Sequence, residues 1–285
     1  VCVFLRFFLD INPLLWYNLI EKKEKDGYMG KFDGWLICSD FDGTIYVDHA
    51  LSDENCAAVR YFQENGGKFT FASGRFVSMF DGFCDRIIPG APIAGLNGAV
   101  IAEPCGGSVL YRGGIRRDEA VKFMLEALER YPGAQNVLLY REDSSLKVVK
   151  GEPLPEDELA ALPDMLPKVS LTVEAAASDE IFADMTARVS DRYSVTRSWK
   201  RGIEFNDPED TKGKAALRIK QMVGATHLVC VGDFENDIPM IMAADIGYAV
   251  GNAVPALKEV ADRVTVGCRE HAIAAIIDEI EHSFA

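Results

Sequence analysis

The hydrophobic positions of the chain form short apolar runs that end in polar residues. The clearest run, Trp35-Leu36-Ile37-Cys38-Ser39, is followed directly by Asp40-Phe41-Asp42-Gly43-Thr44. An unbroken apolar run of this length predicts a buried strand, and the glycine after it permits a sharp turn. Because side chains two residues apart share one face of an extended chain, Asp40 and Asp42 can converge beyond the strand. The pattern therefore predicts a strand whose carboxyl end carries two carboxylates.

Two carboxylates held this close repel each other. A bound divalent cation, or a proton on one of the two groups, relieves the repulsion. Hard oxygen ligands favour Mg²⁺ over Zn²⁺. The alternative interpretation is a solvated turn without a function, because short motifs of this kind also match by chance. The motif alone does not decide between these two interpretations.

Downstream of this motif the pattern alternates between helical and strand periods. It predicts a helix that ends at Asn65, with Ser52 as its N-cap, a strand over 68–72, a helix over 76–86 and a strand over 91–95. The alternation resumes with a helix over 211–223, a strand over 227–231, a helix over 238–243, strands over 246–250 and 263–266, and a last helix over 270–282. This order is typical of a parallel sheet with right-handed crossovers.

The intervening stretch has a different rhythm. Strands over 109–111, 137–140, 146–149, 169–173 and 193–197, with helices near 118–131 and 178–191, predict an α+β unit. We therefore predict an α/β fold with a core of residues 29–102 and 203–285 and an inserted cap of residues 103–202. Residues 1–28 are interpreted as an extension outside the fold, and a membrane-surface anchor is the alternative.

The composition excludes several classes of function. Acidic residues outnumber basic ones by 44 to 30, and no basic run offsets this excess, so a nucleic-acid surface is not expected. A protein of this charge that binds a phosphate must do so with local cations. The seven cysteines are odd in number and lack any Cys-x-x-Cys spacing, which argues against a zinc site and against a disulfide framework. This cysteine usage favours a reducing cytoplasm.

Polar residues follow three of the predicted core strands. They are Asp40-Phe41-Asp42, Ser73-Gly74-Arg75 and Asp233-Phe234-Glu235-Asn236-Asp237, and Lys212-Gly213 begins a predicted helix. Ligands of open parallel sheets bind beyond the carboxyl ends of the strands. Together these residues offer carboxylates for a metal, a hydroxyl and an amine for phosphate oxygens, and a carboxylate that could act as a nucleophile.

With these motifs the chain resembles the haloacid dehalogenase-like (HAD) phosphohydrolase superfamily, and specifically its Cof-type branch of sugar-phosphate phosphatases. The resemblance covers residues 32–283 and rests on four motifs in order: Asp40-Phe41-Asp42-Gly43-Thr44, Ser73, Thr211-Lys212-Gly213-Lys214, and Gly232-Asp233-Phe234-Glu235-Asn236-Asp237. It implies a Rossmann-like core with an inserted α/β cap. Asn97-Gly98 matches a turn that recurs before this cap.

The resemblance also implies a role for each matched residue. Asp40 would attack phosphorus to form an aspartyl phosphate, and Asp42 would protonate the leaving alcohol and then deprotonate the attacking water. The Asp40 and Asp233 carboxylates would hold Mg²⁺ together with the main-chain carbonyl of Asp42. The residues that would bind the phosphate are Thr44, Ser73, Gly74 and Lys212. Asn236 and Asp237 would support the site, and Arg75 and Asn97 would lie on the substrate side.

Several of these residues have a second interpretation. Ser73 could be only a turn residue, Lys212 competes with Lys214, and Asp237 could be only a helix N-cap. Arg75 is expected to be a substrate-side or ion-pair residue rather than a catalytic one.

The function predicted from the sequence is a Mg²⁺-dependent phosphatase that hydrolyses small phosphorylated metabolites, namely sugar phosphates. A phosphomannomutase-like phosphotransferase and a non-catalytic metabolite-binding regulator are the alternatives. The expected partner is the phosphorylated metabolite, with no nucleic acid and no membrane. The expected protein is a cytoplasmic monomer or homodimer.

Overall fold

The computed structural model describes residues 30–283, so the extension predicted for residues 1–28 lies outside the described residues. The first part of the described chain contains β1 (Trp35–Ser39), β2 (Tyr46–Val47), β3 (Ala50–Leu51), α1 (Asp53–Glu64), β4 (Lys68–Phe71), β5 (Ile93–Gly95), β6 (Val100–Ala102) and β7 (Val109–Arg112). Two 3₁₀ helices lie at Val77–Phe83 and Leu96–Gly98. No helix among residues 30–283 is long and apolar enough to cross a membrane.

The inserted part of the chain follows, and the core then resumes. The insertion contains β8 (Ile115–Arg116), α2 (Arg117–Arg130), β9 (Ala134–Tyr140), β10 (Ser145–Val149), α3 (Glu156–Ala160), β11 (Met165–Leu166), β12 (Val169–Val173), α4 (Ser178–Val189), β13 (Ser194–Trp199) and β14 (Gly202–Asn206). The remaining core elements are α5 (Lys212–Met222), β15 (His227–Gly232), α6 (Ile238–Ala243), β16 (Ile246–Ala249), α7 (Pro255–Val260), β17 (Arg263–Val264) and α8 (Ala272–Ser283), with 3₁₀ turns at Glu235–Asp237 and Cys268–Glu270.

The core is built on a five-stranded parallel sheet in the order β17-β16-β15-β1-β4. All five residues of β1 are buried, as expected for an interior strand of a sheet covered on both faces. Ser39 is paired with Val231 on one side and Phe71 on the other, so three strands end at the same level. The residues that follow these strands therefore meet at one edge of the sheet.

The inserted cap has a sheet and a hydrophobic core of its own. Its five strands are antiparallel in the order β10-β9-β12-β14-β13, and buried residues of α2 and α4 pack in the same hydrophobic cluster as this sheet. The core sheet and the cap sheet thus belong to separate hydrophobic clusters. The α/β fold class predicted from the sequence is confirmed, with a parallel core sheet and an inserted α+β unit.

The division between core and cap differs from the predicted one. Strand β7, which the sequence placed in the cap, pairs with β6 in an antiparallel sheet that also contains β5. Strand β14, which the sequence placed in the core, lies in the cap sheet between β12 and β13. The cap elements therefore extend from Ile115 to Asn206 rather than over 103–202, because periodicity predicts a strand without predicting its partner.

Two local expectations are also corrected. The predicted helix over 76–86 is a 3₁₀ helix over Val77–Phe83, whose Phe80 and Phe83 rings pack on Phe41. The strand predicted over 91–95 is shortened to β5, which is paired with β6 and meets the parallel sheet at a bridge between Ala72 and Ala94. In short segments rich in aromatic residues, the packing of the rings overrides helix propensity, so a helical period does not distinguish a 3₁₀ helix from an α-helix.

The expectation against disulfides is wrong for one pair of cysteines. Cys84 and Cys105 form a disulfide with a Cα–Cα distance of 5.9 Å. The first cysteine follows the 3₁₀ helix over Val77–Phe83, and the second lies in the turn between β6 and β7. The hairpin brings the second cysteine back to the first, and such a return is not visible in the spacing of cysteines along the chain. Cys38, Cys56, Cys230 and Cys268 are free thiols.

Candidate active site

A buried ion pair lies at the carboxyl edge of the core sheet. Asp40 follows β1 and is 5% exposed, and its backbone N–H donates to the carbonyl of Val231 at 2.9 Å. Lys212, at the start of α5, donates from Nζ to Asp40 Oδ1 and to Asp237 Oδ1, both at 2.6 Å. Burial opposes the charge of Lys212, but the carboxylates of Asp237 and Asp40 raise its pKa above the ordinary value. The structure thus brings together three of the predicted residues, and its lysine is Lys212 rather than the exposed Lys214.

Asp237 is held more firmly than a helix cap requires. Its second oxygen, Oδ2, accepts from the backbone N–H groups of Asp233 at 2.9 Å and Phe234 at 3.1 Å. Asp237 occupies the N-cap position of α6, but its side chain makes no capping bond to that helix, so it is more than a cap. A Cβ on Gly232 would lie 2.5 Å from this carboxylate, which explains the glycine there. Asp237 therefore orients Lys212 while it fixes the loop that carries Asp233.

The site concentrates negative charge. One carboxylate oxygen from each of Asp40, Asp233 and Asp237 lies within 4.8 Å of the others, and Lys212 is the only cation that pairs with this cluster among the ion pairs of residues 30–283. Burial, and then the charge of Asp237, raises the pKa of Asp40 to about 7, although Lys212 opposes this. Burial, and then the charge of Asp40, raises the pKa of Asp233 to about 8. This excess of hard oxygen ligands fits a divalent cation such as Mg²⁺.

The turn after Asp42 packs directly against Asp233. Gly43 has a φ of +75°, a conformation that glycine adopts without strain, and a Cβ there would lie 2.4 Å from Asp233 Oδ2. Asn252 donates from Nδ2 to the Gly43 carbonyl at 3.0 Å and accepts at Oδ1 from the Cys268 N–H at 2.8 Å. The position therefore requires glycine for two reasons, its φ and the space that Asp233 occupies.

The residues expected to bind phosphate lie around this cluster. Ser73 is 2% exposed, and its Oγ accepts from the backbone N–H of Arg75 at 3.2 Å. Thr44 is fully buried and its Oγ1 has no hydrogen-bond partner, although a buried hydroxyl normally has one. Gly74 lies beside Ser73 and accepts at its carbonyl from the cap residue Lys168 at 2.9 Å.

The second carboxylate of the motif has a different environment. The Asp42 side chain is 55% exposed, and Arg75 forms a bidentate pair with it, Nε to Oδ2 at 2.7 Å and Nη2 to Oδ1 at 2.6 Å. The Arg75 guanidinium also lies over the rings of Phe41 and Tyr46, at 4.9 and 5.0 Å. Arg75 is therefore an ion-pair residue at the rim of the site, one of the two roles that the sequence allowed for it.

A buried polar network joins this site to the cap. Asn97, in a left-handed turn with φ of 62°, donates to Glu204 Oε2 at 2.8 Å and to Asn206 Oδ1 at 3.1 Å, and accepts from Asn236 at 3.3 Å. Lys168 donates to Glu204 Oε1 at 3.0 Å. The contacts of Asn97 in the structure are therefore to the cap and to Asn236.

Lys168, Glu204 and Asn206 were missed by the sequence analysis. Lys168 stands at the head of the apolar run Val169-Ser170-Leu171, and Glu204 lies inside β14, where Ser170 is its register partner. Both are at least 95% buried, although charged residues are almost never fully buried unless they are paired. The signal was a charged residue at the start of one apolar run and another inside a second run, but the pairing of those segments cannot be read from one sequence.

A second ion pair joins cap and core. Arg197, on β13, forms a bidentate pair with Glu235, Nε to Oε2 at 2.7 Å and Nη2 to Oε1 at 2.5 Å, and also donates to Asp179 of the cap at 2.6 Å. Glu235 lies two residues after Asp233 in the same loop. The cap thus contacts both the loop with the acidic cluster and the loop with Ser73.

The sequence that forms this site and fold matches a known protein family. Residues 37–277 match the model of the haloacid dehalogenase-like hydrolases. The chain belongs to this family. The match confirms the recognition made from the four motifs, with its Cof-type branch, and the assignment of the chain as an enzyme of the HAD phosphatase type.

Known relatives and a solved structure are similar over most of this HAD-family chain. It is 25% identical to a protein of Bacillus subtilis (strain 168) named putative phosphatase YxeH, over 86% of this chain and 97% of that protein. It is also 25% identical to a chloroplastic endoribonuclease YBEY of Arabidopsis thaliana, over 90% of this chain but only 48% of that protein. The structure of an HAD subclass IIB sugar phosphatase superposes with a TM-score of 0.72 at 22% identity, over 87% of this chain and 98% of that one. That likeness shows the fold.

Proposed function

We propose that the chain is a Mg²⁺-dependent phosphatase that hydrolyses small phosphorylated metabolites, namely sugar phosphates, through an aspartyl phosphate on Asp40. The observation that carries the proposal is the buried arrangement of Asp40, Lys212 and Asp237 beside Asp233 at the carboxyl edge of the core sheet. A buried lysine that binds two carboxylates fixes the nucleophile in one orientation. A binding protein would not need this arrangement together with a second carboxylate two residues away.

Each residue has a step in the proposed reaction. A carboxylate oxygen of Asp40 attacks phosphorus while the bond to the leaving oxygen breaks, and Asp42 donates a proton to that oxygen. Asp42 then accepts a proton from the water that attacks the phosphorus, and the bond to Asp40 breaks to release inorganic phosphate. Its carboxylate is paired with Arg75 here, so it leaves Arg75 and takes up a proton from solvent before it turns to the leaving group as the acid.

The remaining site residues hold the phosphoryl group. Ser73 Oγ donates to its oxygens, Thr44 steadies the nucleophile loop, and Lys212 adds a positive charge beside the nucleophile. The carboxylates of Asp40 and Asp233 and the Asp42 carbonyl would hold Mg²⁺, which supplies positive charge to the phosphoryl oxygens when it is bound. Asn236 and Asp237 hold the loop of Asp233 in place.

The relatives and the position of the cap support sugar phosphates as the proposed substrate class. One relative is named a putative phosphatase, and a neighbour in structure is described as a sugar phosphatase. The cap lies over both functional loops through Lys168 and Arg197, so a bound metabolite would contact cap side chains on its non-phosphate part. Closure of such a domain excludes water from the reacting phosphate. The cytoplasmic location and the monomeric or dimeric state remain predictions from the sequence.

The test is phosphate release from sugar phosphates, nucleotides, pyridoxal phosphate and p-nitrophenyl phosphate, with Mg²⁺ and with EDTA. The wild-type protein is expected to release phosphate only with Mg²⁺, and Asp40→Asn is expected to lower the rate by about 10³-fold or more. Equal release by Asp40→Asn would contradict the aspartyl-phosphate route. Folded protein that interconverts sugar phosphates without releasing phosphate would instead be a phosphotransferase, and protein that does neither would be a binding protein.

A further inference from the structure

Lys168 is a buried cation of the cap that contacts the core at the predicted phosphate-binding loop. It is 2% exposed and directly precedes β12. Its ammonium donates to Glu204 Oε1 at 3.0 Å and to the Gly74 carbonyl at 2.9 Å, and lies 4.4 Å from the centre of the Tyr140 ring. An ammonium group has three donors, and this one has three partners. One of the three belongs to the core, so the contact forms only while the cap lies against it.

The Gly74 carbonyl belongs to the peptide group that also carries the Arg75 N–H. That N–H donates to Ser73 Oγ at 3.2 Å. Because the peptide group is planar, an ammonium bound to its carbonyl also fixes the direction of its N–H. Hydrogen bonds in such a chain polarise one another, so the cation strengthens the donation to the hydroxyl. The Ser73 hydroxyl accepts at one lone pair and keeps its own O–H for donation.

Glu204 holds this cation in place. Burial favours the protonated acid, but Lys168 and Asn97 lower the pKa of Glu204 below its ordinary value. Its two oxygens bind separate partners, Lys168 at Oε1 and Asn97 at Oε2. A Cβ on Gly74 would lie 3.3 Å from Asn97 Oδ1 and 3.6 Å from Lys168 Nζ, so the loop is packed directly against this pair.

We propose that Lys168 is a positioning residue of the cap that orients the Ser73 hydroxyl toward the phosphate through the Gly74–Arg75 peptide group. The inference rests on the proposed function, because it assigns Ser73 to phosphate. The cap therefore does more than cover the site, since its docking completes the phosphate-binding loop. Lys168 touches no substrate in this arrangement and acts only through Ser73.

The first measurement is the affinity for inorganic phosphate with Mg²⁺, by calorimetry, with kcat and KM for p-nitrophenyl phosphate measured in parallel. Lys168→Met is expected to weaken phosphate binding and kcat/KM by about 10-fold. In a Ser73→Ala background the same change is expected to have an effect of about 2-fold or less, because the hydroxyl on which it acts is gone. The matched control is Lys150→Met, which removes a cap lysine bound to the Tyr131 carbonyl at 2.8 Å and is expected to change neither quantity.

A purely structural role predicts a different result. Lys168→Met leaves Glu204 buried without its cation, so a loss of folding could mimic a loss of function. The double variant Lys168→Met/Glu204→Gln removes both charges and is expected to recover the melting temperature while the loss of phosphate affinity remains. The inference is overturned if the double variant recovers both the melting temperature and the phosphate affinity. It is also overturned if Lys168→Met has the same effect in the wild type and in the Ser73→Ala background. If the wild-type protein neither binds nor releases phosphate, the proposed function is overturned as well. If the wild type is active and Lys168→Met has the same phosphate affinity and kcat/KM, the inference alone is overturned.

Discussion

Two regions of the candidate active site contain carboxylates only two residues apart in the sequence, yet their surroundings are opposite. At the buried floor, Asp40 shares Lys212 with Asp237, and the side chains of the three are at most 7% exposed. At the rim, Asp42 is paired with Arg75 while more than half of its side chain remains in solvent. The floor suits a group that must keep one orientation, and the rim suits a group that must change partners during a reaction.

The physical reason for the difference is the position of the strand end. Asp40 still bonds through its backbone to Val231, so its side chain lies between β1, β15 and the start of α5. Two residues later the chain has left the strand, and the Asp42 side chain is 55% exposed. Two like side chains separated by one residue therefore lie in different dielectric surroundings, where ion pairs differ in strength.

The largest expected effect is at the floor. Lys212→Met leaves Asp40 and Asp237 buried without their cation, which is expected to lower the free energy of unfolding by about 3–5 kcal/mol. The loss of its charge beside the nucleophile is expected to lower kcat by about 10²–10³-fold. Urea unfolding and steady-state kinetics measure the two effects.

The control for this substitution lies on the same helix. Lys214→Met removes an exposed lysine that pairs with Glu209 at 3.2 Å, and we expect neither stability nor kcat to change. If Lys212→Met and Lys214→Met gave the same small effects, Lys212 would not hold the nucleophile.

A smaller effect is expected at Gly43, the glycine that follows Asp42 and packs against Asp233. Gly43→Ala forces an L side chain into a left-handed conformation and directs its Cβ at Asp233 Oδ2. Gly224→Ala is the matched control, because Gly224 has φ of +66° and a Cβ added there would meet nothing within 4 Å. Gly43→Ala is expected to cost about 1 kcal/mol more stability than the control, and to lower kcat/KM by about 10–100-fold through displacement of Asp233. If Gly43→Ala and Gly224→Ala had equal stabilities and activities, Asp233 could move away from the added Cβ without a loss of function.

The floor could be predicted from the sequence far better than its connection to the cap. Asp40, Lys212, Asp233 and Asp237 each follow a strand or begin a helix of the core, and the ends of parallel strands converge by geometry. Lys168 directly precedes β12 and Glu204 lies on β14, and only the antiparallel pairing of these two strands brings them together. Sequence periodicity specifies the strands but not their neighbours, so this network could not be predicted.

The same reason explains the misplaced boundaries and the disulfide. Strand β7 joins the core-side sheet because it forms a hairpin with β6, and the turn of that hairpin also carries Cys105 to Cys84. Both depend on which segments pair in three dimensions, and hydrophobic periodicity does not specify this. The side chain of Asp42 was predicted to act as acid and base, but its pairing with Arg75 depends on a cation 33 residues away.

The smallest expected effect is at the rim. Arg75→Met removes an exposed bidentate pair, which is expected to change the free energy of unfolding by about 1 kcal/mol or less. Because Asp42 then loses the partner that orients it, kcat/KM is expected to fall by about 10-fold, well below the loss from Lys212→Met. Arg188→Met removes an exposed partner of Asp184 on α4, far from any proposed chemistry, and should leave kcat/KM unchanged. A loss of activity from Arg75→Met as large as that from Lys212→Met would mean that the rim cation contacts the phosphoryl group, and the division between floor and rim would then fail.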